Sequence, residues 1–353
     1  MTRSNLLLYF LKLGAIGFGG PLALISQMQK DLILKHQLLT EEEFDQAMAL
    51  IKTLPGPVAI QMVAFIAYRK VGALTAVAAS ILFVLPASLL MLFFGIFYKE
   101  IRSVSISASL LNGMQAGALA LIAEALIPLS KGYYQKIQFW LFFVIAIMLL
   151  FVLQLSEPIV ILVLGLFSII ISTKKRSTLY SVVIVDLLFI CLKAGGLAFG
   201  TGFAIVPMLQ KDFVERLGWM TQQEFLDALA LGQLTPGPIS VTVTFVGYHV
   251  AGIWGAIVAT FGIFFPGVFN MTTWFPRLYD AFRAQKWIKD FILGAISAIA
   301  AGIVISIMQS ARSLDYKLIA LGVLAFVLNR KFKVKSWILI LLSGVAGIIL
   351  SNL

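Results

Sequence analysis

Two stretches of this chain repeat each other without a gap, and both carry Pro-Gly-Pro inside an otherwise apolar segment. Residues 12–60 correspond to residues 193–241 at a constant offset of 181 in the numbering. After a one-residue deletion, the correspondence continues at an offset of 180 as far as Pro86 and Pro266. Proline and glycine interrupt helices, so each copy predicts a broken helix in an apolar setting. A duplicated, interrupted membrane segment is typical of transporters whose binding site lies between two repeats.

The composition excludes a soluble domain. Only 12% of the 353 residues are charged and 60% are hydrophobic, whereas soluble domains contain about 25% charged residues. Several of the apolar stretches exceed the roughly 20 residues that cross a bilayer core, and the short alternating strands of an outer-membrane barrel are absent. The chain is therefore predicted to be an all-α polytopic membrane protein. The apolar stretches are 6–25, 72–98, 104–130, 137–155, 157–173, 179–206, 252–276, 288–311, 316–329 and 336–352.

Other classes of protein are disfavoured by the charged and reactive residues. The net charge of +11 does not indicate nucleic acid, because the basic residues lie in short loops between spans. Cys191 is the single cysteine, so no internal disulfide or thiolate cluster can form. His36 and His249 lack clustered acids, and no nucleotide-binding or hydrolase motif is visible, so we expect neither a metal nor a cofactor. The N-terminal apolar run is expected to be retained, because Lys12 interrupts it and its copy is internal.

Each half is predicted to contain a broken first helix, a Pro-Gly-Pro segment and four further transmembrane helices. A short run of basic residues joins the halves, which indicates one membrane domain made of two repeats. The expected boundaries are 1–173 for the first membrane repeat, 174–178 for the basic linker and 179–353 for the second membrane repeat.

The charge distribution bears on how the halves are oriented. Residues 44–70 can form one span, or a re-entrant hairpin that turns at the first Pro-Gly-Pro. With the hairpin, the halves are inverted, and 17 of the 27 lysines and arginines lie on one side and 7 on the other. With a full span the split is 14 to 10, so the positive-inside rule favours inverted repeats. Residues 174–176 are then cytoplasmic and both termini lie outside; a hairpin at 17–21 would change this parity.

The interrupted helices predict the position of a binding site. Irregular backbone at membrane depth is tolerated only where it faces protein or a water-filled cavity. A half-helix that begins after each turn directs free amides and its positive dipole end into such a cavity, which favours an anion. A simple kink for close helix packing is the alternative. The residues that carry this prediction are Gly19, Gly20, Pro55, Gly56, Pro57, Gly200, Pro236, Gly237 and Pro238.

Lysines inside the apolar segments are candidates for binding an anion. Lys12 and Lys193 each lie five residues before a glycine break, and two ammonium groups would match a tetrahedral dianion. Lys12 could instead extend to the membrane interface, and Asp186 could neutralise Lys193. Lys52 and its counterpart Gln233 can both donate to an anion, although Lys52 could lie on a solvated helix face. The polar side chains that follow the turns are either cavity donors or packing groups; they are Gln61, Ser240, Thr242 and Thr244.

Carboxylates matter for coupling transport to protons. Glu124 lies alone in an apolar run and has no acidic counterpart in the second half, so it is the candidate proton carrier. Pairing with a lysine is the alternative. Four further carboxylates lie at the entry to the Pro-Gly-Pro segments, and we interpret them as helix N-terminal charges. They are Glu43, Asp45, Glu224 and Asp227.

These motifs resemble both halves of the chromate ion transporter (CHR) family, in its long-chain form. The resemblance covers about 12–90 and 190–270, and the trailing helices match only in hydropathy. In the first half it is carried by Phe10-Leu11-Lys12-Leu13-Gly14, Phe18-Gly19-Gly20-Pro21, Leu54-Pro55-Gly56-Pro57 and Leu85-Pro86. In the second half it is carried by Lys193, Gly195, Phe199-Gly200, Gln233, Pro236-Gly237-Pro238, Gly252 and Pro266.

The resemblance implies export of chromate, a tetrahedral dianion close in shape to sulfate, across the cytoplasmic membrane and driven by the proton motive force. It also implies oppositely oriented halves. The chain departs from the family pattern at Leu24, where histidine is frequent, and at Lys52, where glutamine is frequent. The second half also lacks the full Gly-Gly-Pro and reads Gly200-Thr201-Gly202.

Three functions compete at this point. The first is a secondary transporter of chromate or another small oxyanion such as sulfate, with the lipid bilayer as its surroundings. The second is an anion channel built on the same broken helices. An intramembrane enzyme or a scaffold is disfavoured, because no nucleophile–base pair is apparent. The sequence leaves open whether the chain forms a homo-oligomer.

Overall fold

The described part of the chain is helical throughout, with no strand among its elements. Three of its stretches are long and apolar enough to cross a membrane: Ala73–Ile96, Ser105–Ile127 and Ile239–Thr272. The expectation of a helical membrane protein is confirmed. The computed structural model describes residues 2–18, 20–51, 54, 56–130, 133–152, 160–161, 163–164, 183–198, 203, 205–275, 286–332 and 334–351.

The first half begins with a helix that is interrupted at a glycine. Thr2 caps α1 by accepting a hydrogen bond from the Asn5 amide, and α1 ends where the chain turns extended at Gly17. After the break, α2 passes into a π-helical turn, an irregularity that is often found near functional sites. The helices of this half are α1 (Arg3–Ile16), α2 (Gly20–Met28, then the π-helix Gln29–Lys35), α3 (Glu41–Ile51), α4 (Val58–Val71), α5 (Ala73–Ile96), α6 (Tyr98–Ser103), α7 (Ser105–Ser130) and α8 (Ile137–Ile147).

The second half repeats this order of elements. Thr221 and Glu224 form a capping box at the start of the helix before the second turn, which confirms Glu224 as a helix N-terminal charge. Its helices are α9 (Val183–Gly196), α10 (Ile205–Gln210, then the π-helix Lys211–Arg216), α11 (Gln222–Leu234), α12 (Thr242–Thr272, preceded by the 3₁₀ turn Ile239–Val241), α13 (Lys286–Arg312), α14 (Tyr316–Phe332) and α15 (Ser336–Ser351).

Helix α12 consists of two arms, 242–250 and 253–272, that fold back on each other. The backbone is non-helical at Gly252, whose φ of 59° is readily available only to glycine. A side chain added at Gly247 would overlap the carbonyl oxygen of Gly255, so the two arms are in backbone contact. The apparent single span Ile239–Thr272 is therefore a reversal, and its long arm has the ~30 Å needed to cross a bilayer core.

The first half reverses in the same place. Gly72, the counterpart of Gly252 in the repeat, has a φ of 114° and separates α4 from α5. Residues before and after this glycine run as two separate helices, as they do around Gly252. The two halves therefore share their chain reversals as well as their helix order.

Equivalent acid–base pairs hold the two helices around each Pro-Gly-Pro together. Arg69, near the end of α4, donates from Nε to Glu43 at the start of α3 at 2.8 Å. At the equivalent positions of the second half, His249 Nε2 lies 3.7 Å from Glu224. The start of the first helix and the end of the second are thus neighbours in both halves. Residues 44–70 accordingly form two short helices that fold back, and not one continuous helix.

The first helix of each half packs tightly along its long partner helix through a glycine. A Cβ at Gly14 of α1 would overlap the carbonyl oxygen of Phe83 on α5, and a Cβ at Gly195 of α9 would overlap that of Ile263. The two contacts are equivalent, because Gly14 corresponds to Gly195 and Phe83 to Ile263 in the repeat. Cβ-free positions let helix backbones approach closely, which is the usual basis of helix packing in membranes.

The trailing helices of the two halves interlock. On α7 of the first half, Gly113 and Gly117 lie one turn apart, and they contact Ser343 and Gly347 of α15. Both helices thus present a pair of small residues four positions apart, the pattern that permits close helix crossing. The last helix of the second half is in this way attached to the first half.

We expect Gly195→Ala to lower the unfolding free energy of the detergent-solubilised protein by about 1–3 kcal/mol, because the new methyl group overlaps the Ile263 carbonyl. The neighbouring Gly196→Ala is the matched control, since its methyl group would come no closer than 3.9 Å to Pro266. Thermal unfolding of both variants checks this. Equal stability of the two would contradict the contact between α9 and residues 253–272.

Candidate functional site

The two Pro-Gly-Pro turns meet the two glycine breaks of the opposite halves. The amide of Gly237 donates to the carbonyl oxygen of Gly17 at 2.9 Å, and the amide of Gly56 donates to that of Ala198 at 2.8 Å. The two donors are equivalent in the repeat, and so are the two acceptors. The turn of each half therefore fills the interrupted helix of the other, and we call these four residues the junction.

A second layer of contacts has the same symmetry. A Cβ at Gly56 would lie 3.0 Å from the Cα of Gly267, and a Cβ at Gly237 would lie 3.2 Å from the Cβ of Ala87. Gly267 and Ala87 are equivalent in the repeat, and each follows a proline within a helix, Pro266 or Pro86 in the residue before. The turn glycines have φ values of 134° and 100°, so they need glycine for their backbone as well as for space.

The junction limits which amides can meet a ligand. The sequence predicted that the half-helix after each turn directs free amides into a cavity; the amides of the turn glycines themselves, Gly56 and Gly237, are occupied by backbone carbonyls of the other half. Breaking two helices inside an apolar protein leaves polar backbone groups that must be paired, and here they pair with each other. In the described part of the chain, the first turn of α4, 58–60, still has amides that an α-helix leaves without intrahelical acceptors.

Buried polar side chains surround the second turn. Gln233 Nε2 and Ser240 Oγ are shielded from solvent and make no hydrogen bond to any residue that the structure describes. Ser88 Oγ, next to the Ala87 that contacts Gly237, is in the same condition. On the first turn, the side chain of Gln61 is fully buried and lies against Gly56. Buried polar groups in proteins are nearly always hydrogen-bonded, so the donors Gln233 Nε2, Ser240 Oγ and Ser88 Oγ are available to bind an anion.

Lys193 forms a structural pair, but not with the partner that the sequence indicated. Its ammonium contacts Asp212 of the π-helix after α10, and Asp212 also accepts from Arg216 Nε at 2.8 Å. Asp212 thus takes the place of Asp186, which the sequence offered as the alternative neutralising partner. The equivalent Asp31 of the first half is instead bound by the amide of Gln27, at 2.7 Å, and by Tyr9.

Lys12 differs from its counterpart in the second half. Its side chain is exposed on α1, and it forms no ion pair with any residue in the described ranges. Its position fits extension towards the interface, the alternative that the sequence left open. The two lysines are therefore equivalent in sequence but not in electrostatic environment.

Several predicted residues remain undetermined. Gly19, Lys52, Pro55 and Gly200 lie outside the described residues, and Gly20 is described only as the first residue of α2. The remaining turn residues, Pro57, Pro236 and Pro238, are buried beside the junction. Their role in binding stays a prediction.

Glu124 is half-buried on α7, within electrostatic reach of the Arg330 guanidinium on α14. The nearby cation is thus an arginine and not the lysine that the sequence offered as the alternative partner. Its role as a proton carrier stays a prediction.

One carboxylate was misinterpreted from the sequence. Asp227 was expected to be a helix N-terminal charge, but it lies in the middle of α11 with its side chain fully buried. It accepts hydrogen bonds from Tyr98 and Gln115 of the first half. The signal that could have found it is its setting, because it is the single polar residue within 225–230 and its counterpart in the first half, Gln46, has no charge.

An apolar groove of about 630 Å³ lies between α5 and 253–272. Its hydroxyl groups at Ser80 and Thr260, which are equivalent positions, are bound to carbonyl oxygens of their own helices. Ser88 also lines the groove, but most of the lining is apolar. The groove therefore suits a dianion less well than the polar surroundings of the turns.

Comparison with known proteins agrees with this arrangement of two halves. The family model for chromate transporters matches the chain twice, at residues 4–169 and 185–348. The chain belongs to the chromate transporter family. Its similarity to individual family members extends over nearly the whole length, and no solved structure matches the chain.

Three relatives illustrate the range of the chromate transporter family. A probable chromate transport protein of Synechococcus elongatus is 30% identical over 97% of this chain and 94% of its own length. A chromate transport protein of Cupriavidus metallidurans is 28% identical over 94% of this chain and 89% of its own length. An uncharacterised transporter of Methanocaldococcus jannaschii is 28% identical over 97% of this chain and 93% of its own length. The chain is thus a membrane transporter and not an enzyme.

We expect a double-mutant cycle to separate the two lysines. Lys193→Met and Asp212→Asn should each destabilise the protein, with a coupling free energy of about 1–2 kcal/mol, because the Asp212 carboxylate is buried while Lys193 is partly exposed. The matched cycle of Lys12→Met with Asp31→Asn should couple by less than about 0.5 kcal/mol. Unfolding free energies of the wild type, the single variants and both double variants give the two couplings. Similar coupling in the two halves would refute this asymmetry.

Proposed function

We propose that this protein is a secondary active transporter that exports chromate across the cytoplasmic membrane, driven by the proton motive force. Membership of the chromate transporter family and the names of two relatives support chromate as the substrate. Sulfate, which has the same tetrahedral shape and charge, is the competing substrate. The observation that carries the proposal is the junction, where two interrupted helices and two turns from opposite halves meet.

The domain boundaries follow from the same proposal. Residues 1–173 form one repeat, 174–178 the linker and 179–353 the other repeat, and the repeats are inverted in the membrane. The lengths of the paired helices support re-entrant hairpins. Helices α3 and α4 contain 11 and 14 residues, or roughly 16 and 21 Å, which is too short for either to cross the ~30 Å bilayer core alone.

The oxyanion binds beside the second turn in this proposal. Gln233 and Ser240 are buried donors without partners in the described structure, and a dianion supplies the acceptors that they lack. Lys193 lies on α9, whose break meets the first turn through Ala198 and Gly56, so in this proposal it supplies positive charge from that side; in the present conformation the Asp212 carboxylate occupies its ammonium group. An incoming oxyanion takes the place of that carboxylate, so binding releases the tie between α9 and the π-helix after α10.

Movement follows from the way that the halves are joined. Each junction hydrogen bond links a turn of one half to a helix break of the other, so the turns cannot move without the opposite half. Rocking of one repeat against the other would expose the site first to one side of the membrane and then to the other.

The transport experiment uses inside-out vesicles and labelled chromate or sulfate, with and without an uncoupler. We expect saturable chromate uptake that the uncoupler abolishes and that Lys193→Gln lowers about tenfold or more. Asp212→Asn should lower the KM, because it frees the ammonium group. Lys331→Gln, an exposed lysine on α14, is the matched control and should leave uptake unchanged. Non-saturating flux that persists with the uncoupler would indicate a channel. Preferred uptake of sulfate would mean that sulfate, and not chromate, is the substrate.

Orientation is tested with single cysteines in a Cys191→Ser background. Gln37 and Gly218 are equivalent positions of the repeat, and both are exposed with positive φ after a π-helix. We expect a membrane-impermeant maleimide to label Gln37→Cys from the cytoplasmic face and Gly218→Cys from the outer face. Labelling of both from the same face would rule out inverted repeats.

A further inference from the structure

Asp227 forms the centre of a buried polar cluster that joins the two halves at a distance from the junction. Tyr98 donates its hydroxyl to Oδ2 at 2.7 Å, and Gln115 donates from Nε2 to Oδ1 at 2.7 Å. Arg102 Nη1 lies 3.2 Å from Oδ2. The carboxylate belongs to α11 of the second half, whereas all three partners belong to α6 and α7 of the first. We call these four residues the Asp227 cluster.

Among the described residues, one partly solvated cation balances the charge of Asp227. The side chain of Arg102 is 22% exposed, while that of Asp227 is fully buried. Arg102 also donates to Asn112 at 2.8 Å, and Asn112 accepts from Gln223 at 3.1 Å near the surface. The other buried carboxylate in the described ranges, Asp212, contacts two cations. Asp227 is thus the less fully compensated charge, and a chain of polar groups connects it to water.

Gln115 can serve both protonation states of this carboxylate. Its Oε1 is buried and accepts no hydrogen bond from the described residues, while its Nε2 donates to Asp227. An amide presents a donor on one edge and an acceptor on the other. Rotation of the amide by half a turn would let Oε1 accept a hydrogen bond from the protonated carboxyl group. The site therefore has a partner for the bound proton without any change of backbone.

The cluster contacts both helices of the second hairpin, which consists of α11, the turn at Gly237 and the short arm of α12, 242–250. Asp227 precedes the turn at Gly237, and the ring of Tyr98 packs edge to face against Phe245, which follows the turn, at a centroid distance of 5.1 Å. A proton on Asp227 removes its attraction to Arg102 and so weakens this link between the halves. The hairpin that carries Gly237, Gln233 and Ser240 is then freer to move.

We propose that Asp227 is the proton-binding group that couples the proton gradient to movement of the two halves. This inference rests on the proposed function. A proton from the side of higher proton concentration binds to a carboxylate oxygen, the cluster loosens, and the proton is released when the halves have moved. The equivalent position in the first half is Gln46, so this hairpin carries the coupling group and its counterpart does not.

Few other ionisable groups face Asp227. Helices α5 and α15 have none, and α7 has only Glu124. On α11 itself, Glu224 lies one turn before Asp227 and contacts His249 in the short arm of α12. Tyr98 and Arg102 are the titratable and charged groups contributed by α6 to the contact. The pH dependence of coupling therefore reports on the Asp227 cluster together with the Glu224–His249 pair.

The test compares two modes of transport in proteoliposomes that contain the full-length protein. Asp227→Asn should retain exchange of labelled for unlabelled chromate within about twofold, because the binding site is intact, and should lose about tenfold or more of the accumulation driven by a pH gradient. Glu42→Gln, an exposed carboxylate on α3, is the matched control for the change in charge. Gradient-driven accumulation by Asp227→Asn at the wild-type level would overturn the proposal, as would equal loss of both modes.

Tyr98→Phe tests the proton-binding role of Asp227 even if the Asp227→Asn variant does not fold. This variant keeps the ring packed on Phe245 and removes one donor to the carboxylate, so the protonated form is favoured. The midpoint of the pH profile of gradient-driven uptake should move by about one unit to higher pH. An unchanged midpoint would leave Asp227 with a structural role only. Wild-type protein that shows no gradient-driven uptake would instead refute the proposed function.

Discussion

The constraint on which this structure depends is that interrupted helices in an apolar protein must find partners for their backbone groups. A break in one helix exposes a carbonyl, and a Pro-Gly-Pro turn exposes an amide. In this chain each amide meets the carbonyl of the opposite half, Gly237 with Gly17 and Gly56 with Ala198. Among the described residues, no turn closes the break of its own half. Each repeat therefore completes the other.

The symmetry of the backbone is not matched by the side chains. Lys193 is bound by Asp212, whereas the exposed Lys12 does not contact the equivalent Asp31 through any interaction between described residues. Asp227 has an uncharged counterpart in Gln46. Two identical halves would present the same side chains, so these differences are what distinguish one half from the other. The second half contributes the buried carboxylates Asp212 and Asp227, and the first half supplies the donors that hold Asp227.

The positions of the breaks and turns could be predicted from the sequence, because glycine and proline act on the local backbone. The same local chemistry identified Glu224 as a helix N-terminal charge, and the structure places it in a capping box with Thr221. What could not be predicted was which distant group each polar atom meets. The amides of Gly56 and Gly237, for instance, meet carbonyls from the other half of the chain, and no local pattern points to these partners. The pairing of Lys193 with Asp212 across the helix break is of the same kind, since nothing in residue spacing separates Asp212 from the nearer Asp186.

The burial of Asp227 could have been predicted from its sequence context. Its neighbours from Phe225 to Ala230 are all apolar, so a fully solvated position was already improbable. A charge that occurs in one copy of a repeat and is absent from the other cannot serve the fold that both copies share. Such a charge must serve either a contact specific to one half or a function. In this chain Asp227 makes such a contact through Tyr98, Arg102 and Gln115 of the first half. A buried carboxylate at the boundary between the two halves is also well placed to serve a function.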